Sequence, residues 1–432
     1  MAGSTGSYAL LDVSQARQRL LDYFSPTSEE IVPLKESHGR ILARPIESTL
    51  DLPVFTHSSM DGFAVHAVDL REARKDWPAV LSVVEDIPAG SMPQATLGSR
   101  QAARIMTGAV LPEGADAVVP VEFTDHYQTD SRPGVALPEA VSIFRAVQPG
   151  DYVRERGQDI KQGAQVLATS TRLRPQDIGL LAMLGITQVS VRRRPQVALF
   201  SSGDELVPID QPLRPGSIHD SNAYSLAASI ARDGGQAIYL GIARDREESV
   251  EFLLEEAADR KVDIIISSAG VSVGAFDFVR EVVRKRGELQ FWRVNMRPGK
   301  PLAFGFFKTI PFVGLPGNPV SAFVGYEVFL RPAIIKMSGF TGQFRNVRRV
   351  RLGEEVESDG RESYLRARIT ERDGYPVAHL TGHQGSGNLL SLVQANALLI
   401  IPSGVKSLPI NTEVEAWLID EGISWARFPD HA

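Results

Sequence analysis

Between roughly residues 190 and 337, short apolar runs alternate with amphipathic helical stretches. This alternation limits the fold more than any other feature of the chain. VALFSS, QAIYLGIARD, VDIIISS and PFVGLPG are short, strongly apolar runs, the texture of strands covered on both faces. Between and after them lie SNAYSLAASIARDGG, EESVEFLLEEAADR, FDFVREVVRKRG and NPVSAFVGYEVFLRPAIIKMSG, each with helical spacing. Ser221 is expected to cap the first of these helices and Gly234 to stop it. Asn318 is expected to cap the last, with Pro319 at its first position. Four strands alternating with helices predict a doubly wound α/β/α domain built on a parallel sheet.

The chain has 432 residues, enough for two to four domains. Near the N-terminus, DVSQARQRLLDYF predicts a helix capped by Asp12 or Ser14, EEIVPL a short strand and HGRILAR a short helix. From about Pro45 to Gly150 the segments shorten and turn pairs such as Pro133-Gly134 recur, which predicts a mainly β module. After Gly339 the short alternating segments VRRVRLGE, SYLRARIT, PVAHLTG, ALLIIPSG and EVEAWLID predict a small β-barrel or sandwich of about 85 residues. The expected fold class is therefore multidomain α/β plus β.

Composition removes several function classes. A net charge of −6 argues against a general nucleic-acid binder, yet a small anion needs only local positive charge. The absence of cysteine removes disulfides, thiolate metal sites and thiol nucleophiles. MAGSTGSYAL lacks the apolar core of a signal peptide, and IGLLAMLGI is far short of the ~20 residues that span a bilayer. These features predict a soluble, cytoplasmic protein without membrane contact. The eight histidines form no HExxH motif, and no P-loop, G-x-S-x-G or convincing strand-to-helix G-x-G-x-x-G occurs.

In open parallel sheets, ligands bind beyond the carboxyl ends of the strands. Here those ends lead into Gly203-Asp204-Glu205, into Arg244-Asp245, into AGVSVGAFD ending at Asp277, and into Pro316-Gly317-Asn318-Pro319. Singly, such residues are most often helix caps and turns. Together they describe one rim of carboxylates and backbone N–H groups. That rim suits Mg²⁺, which takes one or two carboxylates and completes its shell with water and substrate phosphate. SSAGVSVG reads as a phosphate cradle rather than a bare turn. FWRVNMRPGKP adds Arg293, Arg297 and Lys300, either a solvated basic turn or an oxyanion site beside the rim. HSSMDGFAV, RIMTGAVLPEGADAVVP and VRERGQDIKQG contribute tight turns and a charged loop.

In order along the chain, SSMDGFAV, RIMTGAVLPEGADAVV, RERGQDI, LFSSGDEL, SSAGVSVGAFDF, RPGKP and GLPGNPVSAF resemble the MoeA-like molybdopterin molybdenumtransferases, whose relatives include the E domain of gephyrin. The likeness runs from about residue 8 to 420. It implies an elongated homodimer with four domains per subunit. These are a split N-terminal domain (8–45 and 151–178), an inserted mainly β domain (46–150), an α/β molybdopterin-binding domain (179–338) and a C-terminal β-barrel (345–422).

The resemblance also implies an activity. Molybdate would be inserted into adenylylated molybdopterin with Mg²⁺ and release of AMP. Asp204, Glu205, Asp245 and Asp277 would be metal ligands, with Glu205 and Asp277 also catalytic. Asp61, Thr107 and Asp159 would be catalytic, and Arg154 would bind substrate, completing a cleft shared between subunits. Further substrate contacts fall on Ser202, Gly203, Ser272, Gly274, Arg293, Arg297, Lys300, Pro316, Pro319, Arg366 and Ser386. The family often has lysine at 293 and 297, so here a fork replaces a point charge. Partners implied are the substrates, the molybdopterin adenylyltransferase and molybdoenzyme-maturation proteins. A non-catalytic scaffold on the same fold, or a generic Mg²⁺-dependent nucleotide hydrolase, are the alternatives.

Overall fold

A computed structural model describes residues 10–127, 136–270, 278–342 and 345–419. The chain forms two compact units, one of residues 1–44, 170–178 and 187–432, the other of 45–169 and 179–186. Among the described residues no helix is long and apolar enough to cross a membrane.

The larger unit is built on a six-stranded sheet. Its strands are β1 (Gln196–Ser202), β2 (Gln236–Ala243), β3 (Ile264–Ser268), β4 (Gly287–Arg293), β5 (Pro301–Phe307) and β6 (Ile310–Leu315), in the order β2-β1-β3-β6-β5-β4. The four expected strands are β1, β2, β3 and β6, and all their pairings are parallel. The sheet is not wholly parallel, however. β4 and β5 add an antiparallel edge. Val197, Leu199, Ile264 and Ile266 point into one core, and Ala198, Phe200 and Ile265 into the other, as the two-residue period of a strand requires. The first core packs against the helices α1 (Val13–Leu21) and α2 (Ser221–Arg232), and the second against α3 (Glu247–Asp259) and α4 (Phe278–Arg286).

Several local expectations are corrected. The cap of α2 is Asp220, whose carboxylate accepts from Ala223 N, and Ser221 is the first helical residue. Gly234 follows that helix with φ +90°, a conformation open to glycine at no steric cost. HGRILAR forms no helix. Ile41 and Leu42 instead make isolated bridges to Arg172 and Val191. The run after Asn318 divides into α5 (Pro319–Gly325), a π-helical turn over Tyr326–Leu330 and α6 (Arg331–Met337). Pro332 lacks the N–H that a continuous α-helix would use there.

The C-terminal strands β7 (Val347–Leu352), β8 (Glu362–Arg372), β9 (Tyr375–Leu380), β10 (Ala397–Ile401) and β11 (Glu413–Leu418) close a ring. The order is β8-β9-β7-β11-β10, and β10 pairs back with β8. This is a barrel, which removes free strand edges. The short strand Met296–Arg297 pairs with β8 from outside the ring. In the smaller unit, a five-stranded sheet is centred on Gly62–Val65 and Gln101–Ile105. A side chain at position 62 would lie 2.0 Å from the Val119 carbonyl oxygen, so only glycine fits there.

One buried ionic cluster ties the larger unit together. Glu327, fully buried, accepts from Arg232 at 2.7 Å, Arg331 at 3.1 Å and Arg345 at 3.0 Å. Arg345 also lies 4.0 Å over the ring of Trp417 in β11, which carries the cluster to the barrel. Burial alone would raise the Glu327 pKa, but the three guanidinium groups overcome it and hold the carboxyl below its ordinary range. Its contribution to stability is complete above about pH 4.3 and is lost as pH falls through the lowered native value. Glu327→Gln would leave three arginines with the single carboxylate of Asp233. We expect a loss of about 3–5 kcal/mol, read as a large fall in Tm at neutral pH. An unchanged Tm would show that the cluster is not a structural tie.

Candidate active-site rim and oxyanion site

The parallel register aligns the strand ends. Ser202 pairs with Ala243, Ser201 with Ser268, and Ser268 with Leu315. The loops that follow therefore leave the sheet along one edge. Gly203 has φ +152°, and a Cβ there would lie 2.6 Å from Glu205 Oε2, so the Glu205 carboxylate folds back over its own loop. Asp204 and Asp245 are brought together: Asp245 N donates to Asp204 Oδ1 at 3.3 Å, and Ser202 Oγ donates to Asp245 Oδ1 at 3.4 Å. Arg244 donates to the Asp204 carbonyl at 3.2 Å and fixes the two loops against each other.

The third strand end supplies a backbone concavity. Ala269 and Gly270 both have φ +73°. A Cβ on Gly270 would lie 2.3 Å from the Val279 side chain and 3.5 Å from Ser202 Cβ. Ser272, Gly274 and Asp277 lie outside the described residues. At the fourth strand end, Pro316 is buried and Pro319 opens α5, as its fixed φ favours.

Asn222, in the first turn of α2, was not picked out from the sequence. Its Nδ2 donates to Ser268 Oγ and to the Gly317 carbonyl, each at 2.7 Å, and so joins two strand ends. Its Oδ1 is buried with no donor, as are the hydroxyls of Ser201 and Ser267 without partners. Buried polar atoms without protein partners are uncommon, and a water, ion or ligand completes the shell of such an atom. The run Asp220-Ser221-Asn222 at a helix start was the available signal.

No three ligating side chains converge here among the described residues. Two hard carboxylates in hydrogen-bonded loops still fit Mg²⁺, which leaves the rest of its shell to water and phosphate. They do not fit a metal that needs a closed protein cage.

Beside the rim lies a region of positive charge. Arg366 in β8 is fully buried, yet no carboxylate pairs with it among the described residues. Its guanidinium donates to the carbonyls of His383, Gln384 and Gly385 and to Ser391 Oγ. Burial, reinforced by the positive charge of Arg297, pushes its pKa down to about 10, so it stays charged at neutral pH. The loop that Arg366 holds carries Ser386, whose Oγ accepts from Asn318 Nδ2 at 2.9 Å and whose carbonyl accepts from Val320 N. The structure thus joins Arg366, Arg297 and Ser386 to the fourth strand end. Arg293 ends β4 and Lys300 follows Gly299. Both are exposed and neither has a carboxylate partner among the described residues.

Within the smaller unit, Asp61 Oδ1 accepts from both Thr107 N at 2.6 Å and Thr107 Oγ1 at 2.7 Å. Arg154 forms an ion pair with Asp159, and its Nε is buried without a partner. The strand His57–Ser58 pairs with Val153–Arg154, and Gly62 pairs with Ile105, so neighbouring strands carry these two pairs.

Comparison with known proteins then gives the family. The MoeA N-terminal region (domain I and II) matches residues 11–185, a probable molybdopterin binding domain matches 198–336, and the MoeA C-terminal region (domain IV) matches 349–419. The molybdopterin molybdenumtransferase of Nostoc sp. is 42% identical over 387 residues, covering 88% of this chain and 86% of that protein. Its Bacillus subtilis counterpart is 34% identical over 419 residues, covering 96% of each. A crystal structure of the molybdopterin biosynthesis MoeA protein from Pyrococcus horikoshii superposes with a TM-score of 0.80 at 32% identity, over 96% of this chain and all of that one. The chain belongs to the MoeA family of molybdopterin molybdenumtransferases.

Proposed function

We propose that this protein inserts molybdenum from molybdate into adenylylated molybdopterin and releases AMP. The observation that carries the reading is a buried, carboxylate-free Arg366 beside Arg297, joined through Ser386 to the rim of a parallel sheet. A tetrahedral dianion needs fixed positive charge and donors that do not collapse onto a protein carboxylate. Arg366 is fully buried and hydrogen-bonded to neutral groups, so its charge is not cancelled by a carboxylate and supports the site through its field. Arg297, Lys300 and Arg293 add charge at the exposed side. The Gly270 and Gly317 turns let backbone approach the phosphates closely.

Asp204 and Asp245 would hold Mg²⁺, with Asp277 as a third oxygen ligand and Glu205 at the same edge. The ion would neutralise charge on the leaving phosphate when bound. Ser202, Gly203, Ser272 and Gly274 would line the pyrophosphate, and Pro316 and Pro319 would fix the loop beside it. The four-domain division, the homodimer and the named protein partners belong to the same reading. Asp61, Thr107, Arg154 and Asp159 of one chain would complete the site of the other.

The test is AMP release from adenylylated molybdopterin with Mg²⁺, with and without molybdate. Molybdate-dependent release is expected. Tight binding without release would mean a scaffold, and release indifferent to molybdate would mean a nucleotide hydrolase. Arg297→Ala removes a charge-assisted contact of about 1.5–3 kcal/mol, so half-maximal activity should require about 10- to 100-fold more molybdate with little change in nucleotide affinity. An unchanged molybdate dependence would remove Arg297 from the site.

A second expectation concerns subunit sharing. Asp245→Asn and Thr107→Ala chains should each be nearly inactive alone. Mixed after dissociation, half the dimers are hybrids with one intact site each, so activity should recover to about a quarter of the unmodified level. No recovery would place the whole site within one chain.

A further inference from the structure

A second cavity of the bigger unit lies away from the rim. It encloses about 900 Å³, within the size range of small-molecule sites. Arg193 and Arg194 border it just before β1 begins, whereas Ser202 and the rim lie at the other end of that strand. Arg232 borders it at the end of α2, whereas Asn222 meets the rim at the start of the same helix. The rise along that strand and helix puts the two places roughly 15–20 Å apart. The backbone of this cavity is firmly tied: Gly39 N bonds Leu173 O, Leu173 N bonds Arg40 O, and Arg192 N bonds Ile41 O.

Its lining is strongly basic. Arg40 pairs with Glu30, and Arg193 with Asp263. Arg232, Arg331 and Arg345 share Asp233 and Glu327. Arg172, Arg192 and Arg194 also line it, and none has a carboxylate partner among the described residues. Eight guanidinium charges are thus met by four carboxylates, in a chain whose net charge is −6. Even the innermost group is unbalanced, three arginines against two acids. Arg331 Nε is buried there without a well-directed hydrogen bond, though it lies 3.2 Å from Asp233 Oδ1. Phe340 and Ile335 give the lining an apolar side.

We infer that this cavity is a second anion site that binds a polyphosphate group, either a nucleoside triphosphate or a free polyphosphate. Arginine forks match phosphate oxygens in pairs. One phosphate carries at most about two negative charges and would leave the excess half met. Two or three linked phosphates balance it. Phe340 offers a ring face to a base if the ligand is a nucleotide.

The test uses the full chain without Mg²⁺, with tripolyphosphate and ATP as probes in calorimetry. The protein should bind one tripolyphosphate per chain at this cavity. Arg172→Ala combined with Arg194→Ala should weaken that binding tenfold or more. Both side chains are exposed and lie outside the ion-pair network, so the fold is expected to survive, checked by an unchanged Tm. Arg297→Ala should leave the same binding intact. Tighter binding of ATP than tripolyphosphate would identify a nucleotide, and equal affinity a bare polyphosphate group. The proposal is overturned if the unmodified chain binds no tripolyphosphate, if the double variant binds it as well as the unmodified chain, or if Arg297→Ala alone abolishes it.

Discussion

Four parallel strands end in register, and the chemistry of the larger unit follows from that constraint. Because Ser202, Ala243, Ser268 and Leu315 stop at one level, loops far apart in sequence start side by side. Short-range contacts then do the rest. Asp204 meets Asp245 through one backbone bond, and Asn222 bridges the third and fourth strand ends. None of these contacts is strong by itself. Their geometry holds because the sheet beneath them is buried on both faces and has little freedom to slip register.

Much of this was legible in the sequence. The apolar runs located β1, β2, β3 and β6, and the doubly covered core followed from their texture. The carboxylates at 204 and 245 were expected at one edge, and they are together. The antiparallel strands β4 and β5 were not anticipated. GELQFWR mixes polar and apolar residues because it forms the sheet edge, and FWRVNMRPGKP read as a basic turn or an oxyanion site rather than the end of a strand. HGRILAR has helix-like composition, but backbone bridges to Arg172 and Val191, far away in sequence, override that local preference.

The basic site shows a different limit. Arg366 sits in SYLRARIT, where strand alternation would present it to solvent. Instead positions 363 to 367 are all buried, because the 383–386 loop covers the second face of β8. Alternation reports one covered face, and it is silent on a loop that arrives from elsewhere in the chain. Asn222 escaped notice for a related reason. A short amide at a helix start reads as capping, and only the folded structure shows that its partners belong to two other strand ends.

The short strand Met296–Arg297 links two kinds of architecture. It leaves the α/β sheet, yet its backbone is paired to Glu362 and Ser363 of the barrel, and the Arg361 guanidinium donates to the Met296 carbonyl. Arg366 lies three residues beyond Ser363 on the same barrel strand. The two cations of the proposed oxyanion site, Arg297 and the buried Arg366, are therefore stitched to one another by main chain. If the barrel tilts as a body, Arg297 is carried with it, and the spacing between the two charges is preserved while their distance from the carboxylate rim changes. Domain movement would then reposition an intact anion receptor rather than assemble or dismantle it.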